Sequence, residues 1–465
     1  MTAKNVVILG AGVSGLALAW FLKKYAGDQL RITVFEKQHR SGGWIHTLEK
    51  EGFLFEQGPH SFRGSNPNSA TLRLIEALGL QDQVIIPNPS QNQRYLLSHN
   101  TLVPLPSGLL RALFSPLTRD LWLSALLRDL RASASADADE SILDFSVRHF
   151  GKKMTARLID PVTTGIYAGD IHQLSMRSCF PSIFEAAQKN GSVLLGFLKK
   201  QALKESESSF VTKMRKEPVF SFKQGMETLV KGLTVALNKD VHYHCSSGAL
   251  RFSSQGAEVF LAGGRRMQAD HLFSTLPAAA LADQLADHHT ILGALLTSIE
   301  STSVAVVNLG YRNRVLHKPG FGYLVAQQEK EDILGVIFDS NLFPQQNLRE
   351  TETRLTVMLG GVHHPQICGR RDVDIVNTAV QAVGRHLGIE QAPDAVHVYR
   401  AHHAIPQYSV GHFTRVTHIE ESIRQLSPHL TCLGSSFYGV SINDCIMQAE
   451  KCALQYCIDN KILEQ

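Results

Sequence analysis

Apolar and polar positions alternate along the chain in a way that separates strands from helices. Residues 5–9 (NVVIL) form a short β-branched apolar run that stops at glycine, the mark of a buried strand. After Gly10-Ala11-Gly12-Val13-Ser14-Gly15 comes LALAWFLKKY, apolar at helical spacing, and then a second strand-like run at 30–35 (LRITVF). The FLFE run at 53–56 predicts another strand, followed by a turn through Gly58 and Pro59. From Leu105 to Ala132 apolar residues recur mostly at helical spacing with Arg111, Arg119, Arg128 and Arg131 among them, and Pro116 should divide the stretch into two helices. These either pack on the core or rest on a bilayer with arginines toward anionic lipid. The small, acidic run 133–140 reads as a loop, and a further helix opens at 140–145. Residues 201–218 are polar and read as a mobile connection. Between Ser301 and Leu359, strand-like segments separated by polar turns predict an antiparallel sheet roofing a pocket. Residues 430–457 then read as strand, glycine turn and helix, the helix packing back on the N-terminal fold.

Length changes this picture first: 465 residues exceed what one core organises, so two or three regions are expected. A formal charge of +4 without a long basic run gives no electrostatic footprint for nucleic acid. Seven scattered cysteines, none spaced as CxxC, argue for reduced thiols and a cytoplasmic chain rather than a disulfide framework or zinc site. A strand within the first residues leaves no room for a signal peptide, and no run reaches the roughly 18 apolar residues of a spanning helix. The paired histidines at 288–289, 363–364 and 402–403 lack metal-ligand spacing, and neither HExxH nor GxSxG occurs, so no metal is expected and hydrolysis is disfavoured.

The glycine run carries the first candidate chemistry. Gly10 permits a tight turn, Gly12 lets a pyrophosphate approach the backbone, and Gly15 lets the helix pack against the strand, while Val13 and Ser14 open a helix whose N–H groups attract phosphate. Glu36, at the end of the second strand with Lys37 beside it, is placed to accept a ribose diol. Next, in Arg40-Ser41-Gly42-Gly43-Trp44 the two glycines let the backbone come close to the phosphates while Arg40 can supply positive charge, and the run resembles the RxGG(R/W) element of the flavoproteins that include amine oxidases, phytoene desaturases and protoporphyrinogen oxidases. The resemblance puts Gly58 and Pro59 near the flavin ring, with His60 a polar neighbour of no assigned role.

Residues 160–181 (DPVTTGIYAGDIHQLSMRSCFP) are similar to a segment of oxygen-dependent protoporphyrinogen oxidases, in which Gly165 and Gly169 allow close backbone approach to a planar substrate. Residues 222–229 resemble the family's GGM-type helix start, and 271–277, with Thr275, its strand-and-turn closing the dinucleotide domain. The run from Gly434 and Ser435 through Val440 to Asn443 is similar to its C-terminal FAD motif. On this resemblance Val241 meets the adenine end, Arg94 pairs with a substrate propionate, and Phe321, Leu324 and Ile337 touch the tetrapyrrole.

The fold so implied is α/β: a Rossmann-type FAD-binding domain (1–65, 219–290, 420–465), an antiparallel-sheet substrate domain (66–104, 291–419) and a helical, membrane-associating domain (105–218). The implied reaction is oxidation of protoporphyrinogen IX, using non-covalent FAD and dioxygen, with coproporphyrinogen III as the alternative substrate. An amine oxidase or carotenoid desaturase on the same fold, and a flavin scaffold without turnover, are the competing functions. The implied partners are the porphyrinogen, a membrane surface holding the protein peripherally (an organelle inner membrane in a eukaryote), and a ferrochelatase receiving product. A homodimer is compatible with the family and is not read from the residues.

Overall fold

The computed structural model describes residues 3–64, 69–106, 115, 117–132, 139–199, 207–285 and 290–463. A five-stranded parallel sheet orders its strands as Val241–His242, Leu30–Phe35, Lys4–Leu9, His271–Ser274 and Leu430–Cys432. Buried on both faces, the inner strands need the continuous apolar runs seen in the sequence. On one side the helix Val13–Ala26 packs against the C-terminal helix Ile442–Asp459. Fully buried Ala17, Ala449 and Ala453 allow that close approach. On the other side lie Leu281, Leu296 and the helix His412–Leu426, which runs across residue 419.

The second large sheet has seven strands, ordered Ala395–Pro406, Ser301–Tyr311, Thr353–Gly360, Ile333–Ile337, Gly322–Val325, Arg94–Ser98 and Thr101–Pro104. It departs from a purely antiparallel sheet at one pair, Gly322–Val325 with Arg94–Ser98, which runs parallel. Those two segments come from distant parts of the chain, so no hairpin dictates their direction. Val307, Leu309, Val336, Leu355 and Val357 pack from one face onto Ile375, Ala379 and Val383 of the helix Asp372–Leu387. By strand alternation the opposite face carries Arg94, Ile337, Thr356 and Asn308 in one row and Leu324, Met358, Val306 and Tyr399 in the next.

One carboxylate ties three segments of the helical region together, beside the apolar cluster around Ile142, Phe145 and Phe184. Asp129, on the helix Trp122–Arg131, accepts hydrogen bonds from His149 Nδ1 (2.7 Å), Ser192 Oγ (2.6 Å) and the N–H groups of Val193 and Leu194 (3.0 Å each). Burial opposes its charge, but these bonds outweigh it and bring the pKa down to about 2. The first of the two helices expected over 105–132, with Pro116, lies outside the described residues, as does most of the 133–140 loop. Residues 209–214, expected within a mobile connection, form the helix Ser209–Met214, because the Ser208 hydroxyl caps the Val211 N–H (3.2 Å) and Val211 and Met214 bury in the core. Among the described residues no helix is long and apolar enough to cross a membrane.

Candidate cofactor and substrate site

A cavity of about 630 Å³ opens where the strands Lys4–Leu9 and Leu30–Phe35 end, the usual ligand position on a parallel sheet. Of the residues singled out in the sequence, Gly10, Gly12, Val13, Ser14, Glu36, Lys37, Gly42, Gly43, Trp44, Pro59, Thr275, Ser435 and Val440 line it. The glycine turn has a local cause at each step. Gly10 sits at φ 97° and donates its N–H to Phe35 O (2.8 Å), a conformation that suits glycine. A Cβ on Gly15 would lie 2.0 Å from Gly10 O, so only glycine lets this helix seat on the turn. A Cβ on Gly12 would meet no protein atom within 4 Å; it would stand in the space of the cavity.

Glu36 is buried, and its carboxylate accepts the N–H groups of Ala11 (2.8 Å) and Gln38 (2.9 Å), which ties the turn to the end of the second strand. Glu36 also lines the cavity. Gly42, at φ 106°, donates to Ala11 O (2.8 Å) and brings the second glycine loop against the first. Open glycine backbone, a helix N-terminus and a distal carboxylate suit a dinucleotide such as FAD, and the volume falls in the range of about 300–1,000 Å³ typical of ligand sites.

Seven of the sequence-derived residues stand back from the cavity wall. Gly15 lies beneath the turn, and Gly58 passes so close to Trp44 O that a Cβ would fall 1.9 Å from it. Arg40, expected to offer charge to phosphates, instead donates to the carbonyls of Ser41 (3.0 Å), Gly43 (2.8 Å) and Ile45 (3.2 Å) and so braces the loop. Val241 is buried in the sheet opposite Val34, and residues 245–249 form the wall beyond it. Gly434 donates to Gln448 Oε1 (3.2 Å), and Asn443 donates from Nδ2 to Arg63 O (2.8 Å). Ser246, Ser247, Tyr399 and Cys445 line the cavity without having been singled out. The Ser246-Ser247-Gly248 triplet after a short strand was a local sign of a close-approach loop, whereas Tyr399 reaches the site only through sheet register.

His60, one residue beyond Pro59, is buried and shares a hydrogen bond of 2.8 Å between Nδ1 and Asp339 Oδ1, while its Nε2 has no partner among the described residues. Burial alone would hold its ring neutral, but the Asp339 carboxylate and that hydrogen bond outweigh burial and raise the pKa. Nearby Glu56 accepts the Met226 N–H (2.7 Å) and the Thr47 hydroxyl (3.0 Å), yet burial pushes its carboxyl up to about 8. A raised folded pKa means that the native state binds more protons than the unfolded chain. For Glu56 the stabilisation is complete below 4.5 and is lost as pH rises through about 8; for His60 the loss begins above 6.5. Thermal midpoints should therefore fall across this window, and Glu56→Gln should flatten the slope; an unchanged slope in the variant would remove Glu56 as its source.

Three of the substrate residues expected from the sequence, Arg94, Leu324 and Ile337, share one sheet face, while Gly165 comes from the helix Asp160–Tyr167 and Phe321 from the residue before the strand Gly322–Val325. Leu324 and Ile337 lie on it by register, with Gly165 close enough that a Cβ would sit 2.5 Å from Leu324 Cδ2. Arg94 pairs in register with Gly322 and places its guanidinium carbon 4.7 Å from the centre of the Phe321 ring. Phe321 and Ile337 pack together on Val219 and Phe343. Tyr399 belongs to this same face and also lines the cofactor cavity, which joins the two surfaces.

Comparison with known proteins agrees with this architecture. The family model for flavin containing amine oxidoreductases matches residues 13–455. Protoporphyrinogen oxidase of Bos taurus is 32% identical, over 97% of this chain and 98% of that protein. Coproporphyrinogen III oxidase of Bacillus subtilis is 29% identical, over 96% of each. Among solved structures, one from an Exiguobacterium species covers both chains completely with a TM-score of 0.83 at 23% identity. Cyclohexylamine oxidase from Brevibacterium oxydans matches with a TM-score of 0.72 at 14% identity, over 99% of this chain and 100% of that one. A match of this extent to the family model, with relatives aligned nearly end to end, means that the chain belongs to the flavin containing amine oxidoreductase family.

Proposed function

We propose that the protein oxidises protoporphyrinogen IX to protoporphyrin IX with dioxygen, using FAD held non-covalently in the cavity at the end of the parallel sheet. The observation that carries this reading is that Tyr399 lines the cavity and belongs to the sheet face that also bears Leu324, Ile337 and Arg94. Bound FAD would take two electrons in each round and pass them to dioxygen, so that three rounds remove six electrons and yield three molecules of hydrogen peroxide.

The chain's own part is placement. Gly12 and the Val13–Ser14 N–H groups receive the pyrophosphate, Glu36 the ribose, and Trp44, Pro59 and Val440 border the ring end. Phe321, Leu324 and Ile337 offer apolar contact to the macrocycle, and Arg94 takes a propionate by charge-assisted hydrogen bonds. Among the residues lining the cavity, Cys445 has its thiol pushed up by burial to about 11, which leaves it a neutral wall group at physiological pH. Addition of protoporphyrinogen IX to the aerobic holoprotein should produce porphyrin fluorescence and peroxide in a ratio of one to three. An oxidised product from an amine or carotene, with none from porphyrinogen, would overturn the assignment. Coproporphyrinogen III is the second reading, favoured by the names of the relatives from Bacillus subtilis and Staphylococcus aureus.

The helix Trp122–Arg131 supports peripheral docking on a membrane. Leu123, Leu127 and Leu130 are 56%, 43% and 47% exposed and recur at helical spacing on one face, with Arg128 and Arg131 nearby. Vesicles containing anionic lipid should therefore sediment with the protein, and changing the three leucines to serine should weaken this at least about tenfold. Equal sedimentation of the two proteins, or none of the native one, would remove the membrane role.

A further inference from the structure

A second guanidinium, that of Arg63, belongs to the same apolar neighbourhood as Arg94. It ends the short strand Phe62–Arg63, which pairs antiparallel with Val219–Phe222 so that Arg63 lies opposite Val219. Phe62 is buried, stacked on Phe220 at a centroid distance of 5.0 Å and set edge-on to Phe222 at 5.7 Å. Since successive strand residues point to opposite sides, anchoring Phe62 inward turns Arg63 outward, where it is exposed. Its carbonyl accepts Asn443 Nδ2 at 2.8 Å, which fixes it beside the C-terminal glycine motif. Val219 belongs to the same apolar cluster as Phe321 and Ile337, and Arg94 lies over Phe321. The two arginines therefore flank one apolar surface.

Neither has a carboxylate partner among the described residues, whereas Arg73, Arg215 and Arg354 hold one at 2.7, 2.8 and 3.1 Å. Although the Arg94 side chain is exposed, partial desolvation and then the charge of Arg63 lower its pKa. The two arginines thus bring like charges to one surface, and an anion bound there would relieve their repulsion.

We propose that Arg63 and Arg94 form a dicationic rim that binds two neighbouring carboxylates of the substrate, with the macrocycle lying on the apolar surface between them. The proposal rests on the porphyrinogen reading and adds Arg63 as a substrate-binding residue. A planar guanidinium suits a carboxylate by bidentate hydrogen bonding, and loss of one such pair costs about ten- to a hundredfold in affinity.

The test is equilibrium binding of protoporphyrin IX and of its dimethyl ester to the flavin-loaded protein, followed by fluorescence. Arg63→Gln should weaken the diacid about ten- to a hundredfold and leave the ester unchanged, with Arg63→Lys intermediate. The variant keeps the Arg63 carbonyl and loses only an exposed side chain, so flavin content and thermal midpoint should match the native protein. Equal affinity of Arg63→Gln and native protein for the diacid would overturn the role of Arg63 while the function stands. So would equal affinity of the native protein for diacid and ester. Failure of the native protein to bind either porphyrin would bring down the function and this proposal together.

Discussion

A Gly12→Val protein is expected to fold and to purify without flavin. Gly12 has φ −68° and ψ 175°, an extended conformation open to any residue, and its Cβ would meet no atom of the described residues within 4 Å. Folding should therefore be indifferent to the change. The added side chain stands where the pyrophosphate would approach the backbone, so cofactor affinity should fall at least about a hundredfold, on the order of 3 kcal/mol or more. The ratio of flavin to protein absorbance after gel filtration reads this directly. Gly15→Val makes a useful contrast: its Cβ would lie 2.0 Å from Gly10 O, so the helix must shift and stability should fall as well. Native flavin content in Gly12→Val would show that the cavity is not the cofactor site.

Arg354→Met should lower stability by about 3–5 kcal/mol, the usual cost of stranding one member of a buried ion pair. Arg354 is 2% exposed. Its Nε lies 3.1 Å from Glu352 Oε1, and its other nitrogens donate to Leu54 O (2.9 Å), Asn347 Oδ1 (2.9 Å) and Phe343 O (3.3 Å). Leu54 lies on the strand that leads to Gly58 and Pro59, so this guanidinium fastens the cofactor side of the molecule to the substrate sheet. Loss of flavin on mild heating should accompany the fall in thermal midpoint. Arg354→Met combined with Glu352→Gln should recover part of the stability, because no buried charge is then left alone; a double variant no better than the single one would assign the effect to packing.

The parts of the molecule that the sequence displays are those whose chemistry is local. The run from Gly10 to Gly15 needs glycine for reasons of backbone geometry within six residues, and Glu36 closes the same unit. The helix at 442–459 is announced by Ser441 and Asp444, which form a capping box. Long-range placement left weaker traces. The parallel pairing of Arg94–Ser98 with Gly322–Val325 joins segments more than 200 residues apart, and no local pattern encodes its direction. Charge beside two glycines suggests a phosphate ligand at Arg40, but its guanidinium donates to the carbonyls of its own loop. Tyr399 and Arg63 carry no motif, since their positions come from sheet register and from the burial of Phe62. His60 could be placed near the ring end by its neighbour Pro59, yet its buried pairing with Asp339 required the fold.

The most direct test of the account is an anaerobic absorbance spectrum of the holoprotein before and after protoporphyrinogen IX, and again after air is admitted. Bleaching of the flavin band on substrate, with its recovery and the appearance of porphyrin bands in air, is the expected result. A bound flavin that stays oxidised in the presence of porphyrinogen would contradict it.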